Sequence, residues 1–200
     1  MAPALRPTRW WYGSLVAMGI AVWPAPGQPA VAASFALAEP DRLDAMRAGQ
    51  RSITAEGFGT EWRARDAAGQ TLTVMTPYHR LALAARNAAF KKEALKPKDV
   101  EALLKESQNR LTLWVTLRGG RPDFARFLEP VLVGGAAETK ASFVQNERTA
   151  LREEDGRYAA RCLYVFPAEG IDPRGRVTLL VRDPDNREMA KFTVDLSAMR

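Results

Sequence analysis

The chain has 200 residues, with 29 Lys and Arg against 23 Asp and Glu, a net charge of +6, one His and one Cys. A single cysteine excludes an intramolecular disulfide, and one histidine with one cysteine argues against a zinc or copper centre. The mild positive balance is interspersed with acids, so no nucleic-acid footprint is expected, whereas an acidic component of the cell envelope is a reasonable partner.

The chain opens with Arg6 and Arg9 ahead of an apolar run from Trp10 to Trp23, broken by Pro24, Pro26 and Pro29. Small-x-small triplets follow at Ala30-Val31-Ala32, Val31-Ala32-Ala33 and Ala36-Leu37-Ala38. A charged start, a short apolar core and a small-residue site describe a signal peptide over residues 1–33, cleaved somewhere between 32 and 38. The run is shorter than the ~20 apolar residues of a membrane anchor. The expectation is a periplasmic or extracellular protein with no transmembrane span in its mature chain. Roughly 165 residues then remain, the length of one ordinary domain.

Residues 34–57 read as a linker with a short helix over Asp41–Gly49, Asp41 capping it and Gly49 ending it. The domain proper is expected over 58–200. From Phe58 to Asp66 the residues alternate, with Phe58, Thr60, Trp62 and Ala64 on one face. After the turn Ala67–Gln70, Leu72 and Val74 point inward from "TLTVM", giving a β-hairpin. Thr76 and Pro77 then start a helix as N-cap and first helical residue. Its stripe of Tyr78, Leu81, Ala82, Ala85, Ala88 and Ala89 lets a neighbour approach closely. Pro97 opens a second helix with Val100, Leu103 and Leu104 at helical spacing, so a helical insertion is expected at about 77–106.

From Asn109 the period changes to two. Leu111, Leu113, Val115 and Leu117 face one way; Thr112, Trp114 and Thr116 face the other. "FLEPVLV" is a strand that Pro130 restricts to an edge or a bulge, and "KASFVQN" is a further short strand. "RYAARCLYVF" is apolar on both faces and therefore central. Val177, Leu179 and Val181, the turn Asp183–Asn186, then Ala190, Phe192, Val194 and Leu196 form the clearest hairpin. Up to eight strands, with helix gathered in one block, describe a mainly β protein: an immunoglobulin-like or fibronectin-like β-sandwich with a two-helix insertion and a short N-terminal helix. The resemblance to immunoglobulin and fibronectin type III sandwiches is one of strand pattern; the Cys…Trp…Cys spacing of immunoglobulin domains is missing.

Chemistry is sparse. His79, third residue of its helix, is the one base a hydrolytic triad has at hand, but no G-x-S-x-G elbow accompanies it, and the reading is an ordinary helix-start residue. Cys162 sits in an apolar run as a small buried hydrophobe. Residues 183–188 resemble a calcium loop faintly but lack its glycine. The acids of "REEDG" at 152–156 suit a solvated turn better than a carboxylate pair, and Asp123 and Glu169 stand alone. "RGGRPD" has no lysine–serine pair for phosphate. No catalytic residue, metal site or cofactor is therefore expected.

Binding has slightly more to work with. Trp114 points away from its strand's aliphatic face; either helices cover it or it is an exposed anchor. Arg118 and Arg121, with Arg126, form a loose basic group, and Arg174, Arg176, Arg182 and Arg187 flank the last hairpin. Trp114, Arg118 and Arg121 are the binding candidates. The expected function is a non-enzymatic exported module that binds a protein or an acidic envelope component. The alternatives are a small acid-residue hydrolase acting on envelope glycans and a structural subunit of an export or surface assembly.

Overall fold

The structure, a computed structural model, describes residue 33, residues 35–135 and residues 137–200. The charged start, the apolar run and the triplet Ala30–Ala32 lie outside the described residues. Helix α1 spans Glu39–Arg51, a 3-10 turn Thr60–Trp62, β1 Arg63–Arg65, β2 Thr71–Met75, α2 Pro77–Phe90 and α3 Pro97–Ser107. Then come β3 Arg110–Gly119, β4 Glu129–Gly134, β5 Ala137–Lys140, β6 Phe143–Gln145, β7 Leu151–Arg152, β8 Tyr158–Pro167, β9 Arg176–Arg182 and β10 Glu188–Asp195.

The protein is mainly β, and all strand pairs among the described residues are antiparallel. One sheet runs β1-β2-β3-β8-β6, with β7 also on β8; the other runs β10-β9-β4-β5. Alternation decides which side chains point inward. Leu72 and Val74 on β2, Leu111, Leu113, Val115 and Leu117 on β3, and Ala160, Cys162, Tyr164 and Phe166 on β8 are buried from the first sheet. Leu132, Val177, Leu179, Val181, Ala190, Phe192 and Val194 are buried from the second. They join one core cluster, in which each large apolar side chain contributes about 1.5–3 kcal/mol by leaving water.

Four local expectations are corrected. The alternation from Phe58 does not make a long strand: Gly59 is left-handed at φ 87° and starts the 3-10 turn, which leaves three residues of strand. Gly49 does not end α1. It is buried inside the helix, where α1 crosses α2 with no room for a side chain, and Asp41 lies in the first turn, not at the cap, which is Ala38. Pro130 is not on an edge strand, because β4 lies between β9 and β5. It is tolerated because β5 reaches only to Val131, so the proline's missing N–H faces no partner. Finally, "KASFVQN" is not one strand: the chain leaves the second sheet after Lys140 and enters the first at Phe143.

α2 begins as its sequence demands. Thr76 accepts a hydrogen bond from His79 N–H at 3.0 Å, and Pro77 takes the first position. Tyr78, Leu81, Ala82 and Ala85 are its buried face, toward α1 and the core.

Candidate functional site

The outward side chains of the first sheet form the candidate site. Paired residues in an antiparallel ladder share a face. The register therefore sets Arg63, Thr73, Trp114, Leu163 and Gln145 in one row across β1, β2, β3, β8 and β6. The row toward α2 holds Met75, Thr112, Val165 and Phe143; the row on the other side holds Arg65, Thr71, Thr116 and Arg161. Trp114 is 47% exposed and Phe143 50%, while Leu163 and Val165 between them are half-buried. Exposed arginines at 63, 65, 110 and 161 rim this apolar band, and none of them enters an ion pair among the described residues. Cations unneutralised beside exposed aromatics suit an anionic, partly apolar partner.

The face carries two depressions, one on each side of the Trp114–Leu163 pair. One, of about 640 Å³, lies over β8 and β6 and is lined by Arg110, Phe143, Leu163 and Val165. The other, of about 320 Å³, lies between α2, the 58–63 segment and β2–β3, with Arg63, Met75, His79, Leu83 and Trp114 among its walls.

His79 builds the second recess from beneath. Its ring stacks on Trp62 with centroids 4.1 Å apart and planes 6° from parallel, and Phe58 meets both rings edge-on. Its Nδ1 lies 3.0 Å from Val74 O. A carbonyl accepts only, so Nδ1 is the protonated nitrogen. Burial pushes the ring's pKa below the ordinary histidine value; the Val74 bond opposes this in part, and Arg63 adds to it. His79 is thus a neutral core residue with a structural bond. The helix-start reading understated it. Arg86 closes the same corner: its guanidinium donates to Ser52 O and lies 4.9 Å over the Phe58 ring.

Of the three binding candidates read from the sequence, only Trp114 lies in this region with its ring accessible. Arg118 is on the same face of β3, four residues along, or about 13 Å. It is occupied: it grips Glu153 with bonds of 2.6 and 3.1 Å and also donates to Gly69 O, which ties two turns together. The pairing holds the Glu153 carboxyl below the ordinary carboxylate range and so uses one acid of the 152–156 cluster. Arg121 is in the turn after β3, its side chain 80% exposed, with a loose 4.0 Å contact to Asp123. The three do not converge. Arg63, Arg65, Phe143, Arg161, Leu163 and Val165 were missed, although the two-faced apolar pattern of β8 was the signal for an outward apolar stripe.

The other chemical groups are accounted for locally. Cys162 is buried, and its thiol is pushed up by burial. Tyr164 is buried too, and its hydroxyl donates to Asn146 Oδ1 at 3.0 Å. Asp183 accepts from Arg187 N–H and Asp185 pairs with the Arg187 side chain, so both serve their hairpin turn.

No family model matches this chain, and no curated protein matches its sequence. Among solved structures, it is similar to a protein of unknown function from Burkholderia pseudomallei at 10% identity and a TM-score of 0.41, covering 82% of this chain and 92% of that one. It is also similar to the C3 domain of an IgNAR antibody at 14% identity and a TM-score of 0.33, covering 66% of this chain and 96% of that one. Neither likeness bears on ligand or activity. What the strand pairing itself establishes is a mainly β protein built of antiparallel sheets.

Proposed function

We propose that this chain is an exported, non-enzymatic binding module, an immunoglobulin-like β-sandwich that engages a protein or acidic envelope partner through the outer face of its β1-β2-β3-β8-β6 sheet. The observation that carries the reading is the exposed Trp114–Leu163–Val165–Phe143 band inside a rim of unpaired arginines. A large aromatic on the solvent face of a central strand lowers solubility unless it is used, and aromatic anchors with arginines are what interfaces concentrate. Export is supported by the charged and apolar start of the sequence with its small-residue triplets.

The test is photo-crosslinking in cells. A crosslinking amino acid placed at Thr112 or Thr116, on this face, is expected to yield a discrete adduct with a partner. The same group at Thr193, on β10 of the other sheet, is expected to yield none. Adducts of equal yield from both faces, or none from Thr112 and Thr116, remove the proposal. Cell fractionation checks the export half separately, since a chain retained in the cytoplasm contradicts it.

A further inference from the structure

The recess beside Trp114 is chemically more specific than an apolar docking face. His79 is only 4% exposed, yet it forms part of the recess wall. With Nδ1 donating to Val74 O, Nε2 of the neutral ring carries a lone pair, and no hydrogen bond reaches it from the described residues. No sealed side-chain nitrogen or oxygen among those residues lacks a partner, so Nε2 must open to the recess. It is an acceptor waiting for an N–H or O–H.

A cation stands beside it. A Cβ added to Gly59 would lie 3.7 Å from His79 Nε2 and 3.9 Å from Arg63 Nη2. Both nitrogens thus lie within 4 Å of one point, which the glycine leaves clear. Arg63 is exposed and enters no ion pair among the described residues. Trp114, Met75 and Leu83 supply an apolar wall next to the pair. The occupant must therefore offer three things together: an anion for Arg63, a donor for Nε2 and an apolar group for Trp114.

We propose that the recess captures the apolar C-terminal residue of a partner polypeptide: its carboxylate on Arg63, its amide N–H on His79 Nε2 and its side chain against Trp114 and Met75. The proposal rests on the binding-module reading and names its partner. A C-terminal residue carries carboxylate and amide N–H roughly 3 Å apart on one Cα. Two bonds of about 2.9 Å then suit an acceptor and a cation that both lie within 4 Å of one point beside Gly59. Arg–carboxylate bonds are among the stronger hydrogen bonds, and C-terminal capture is a recurring mode of peptide recognition. A side-chain carboxylate in mid-chain has further rotatable bonds between itself and its amide, so it meets the same geometry only at a larger entropic cost. The recess holds about one residue, and the preceding ones have a track along Trp114, Leu163 and Gln145. That track favours a polypeptide over a lone acylated amino acid.

The test is a titration of the whole mature chain, followed by the Trp114 indole N–H resonance. The probe is an acetylated hexapeptide of glycine and serine that ends in leucine with a free carboxylate. Saturable binding is expected. Amidation of the terminus, N-methylation of the terminal leucine, and Arg63→Gln are each expected to weaken it ten-fold or more. Arg121→Gln, a charge loss of the same size at a remote turn, is expected to change it less than two-fold. N-acetyl-leucine alone is expected to bind at least ten-fold more weakly than the hexapeptide. Equal affinity for acid and amide overturns the proposal, and so does an equal loss from Arg63→Gln and Arg121→Gln. N-acetyl-leucine binding as tightly as the hexapeptide overturns it in favour of a small-molecule site. If Thr112 and Thr116 crosslink while no hexapeptide binds, C-terminal capture falls and the sheet-face reading stands.

Discussion

Gly49 sits in the last turn of α1, where helix propensity alone prefers alanine by about 0.5–1 kcal/mol. Packing reverses that sign. A Cβ at this position would overlap the Ala82 carbonyl of α2 and lie 3.0 Å from Ala85 Cβ. The obstacle is backbone, which cannot swing aside, so the helices would have to separate. Gly49→Ala is expected to lower stability by about 1–3 kcal/mol in urea denaturation. An unchanged or raised midpoint would mean that α1 and α2 are not in this close contact. His79 makes a second prediction at the same scale. Burial, with the Arg63 charge, sets its folded pKa below the unfolded value of about 6.5, so the unfolded chain takes up the proton first as pH falls. Its contribution to stability is complete above about pH 6.5 and is lost as pH drops through the folded pKa. Between pH 7 and 5 the urea midpoint is expected to fall more steeply in the natural chain than in His79→Gln. Parallel pH profiles would show that the histidine is not buried neutral. Neither role was visible in the sequence for one reason. A glycine near a helix end and a histidine at a helix start both have common local explanations, and only the partner element across the contact gives them their actual ones.

At the scale of elements, strand periodicity was legible wherever one face is buried. The inward sets of β2, β3, β9 and β10 are the buried ones in the structure. What stayed hidden were facts about pairing. Pro130 excludes one neighbour at one residue, not along a whole strand, and nothing local distinguishes β5 from β6 as members of different sheets. The candidate site suffered likewise, since its rows cross four or five strands and exist only once register is set. Gln70, which the sequence offers merely as a turn residue, is the joint between elements. It is buried; its Nε2 donates to Asp66 Oδ2 at 2.8 Å and to Met189 O at 3.1 Å, and its Oε1 accepts from Arg118 N–H at 3.2 Å. One side chain so links the β1–β2 turn, β3 and β10 of the opposite sheet. Gln70→Ala is expected to cost about 2–3 kcal/mol, because it strands partners as well as removing bonds. Hydrogen exchange should quicken at the 66–70 turn and at Met189–Ala190 together. Faster exchange at the turn alone would leave the link between the sheets unsupported.

Across the whole molecule, the two ends of the described chain are packed into the fold. Ala33 and Leu37 are buried in the core cluster, and Ala33 N–H donates to Leu196 O at 2.9 Å. At the other end Met199 is buried, and Arg200 O accepts from Trp62 Nε1 and Thr76 Oγ1 at 3.1 and 2.5 Å. The C-terminal backbone thereby braces both the Trp62–His79 stack under the proposed recess and the cap of α2. The stretch from Ala33 to Ala38 matters for the export reading, because the small-residue triplets end at Ala32, Ala33 and Ala38 and so offer candidate cleavage sites from 32 to 38. Cleavage after Ala38 would strip Ala33 and Leu37 from the core, and losing one buried leucine costs about 2–5 kcal/mol. Cleavage after Ala32 keeps both, and the new amino group at Ala33 still has a proton to donate to Leu196 O. If the chain is exported as proposed, N-terminal sequencing of the exported protein is expected to begin at Ala33, one residue earlier than a signal peptide of residues 1–33 would leave it. A chain produced to start at Glu39 is expected to unfold at a markedly lower urea concentration than one starting at Ala33. Equal midpoints for the two would show that the 33–38 segment does not seal the core, and the choice among cleavage sites would lose its structural ground.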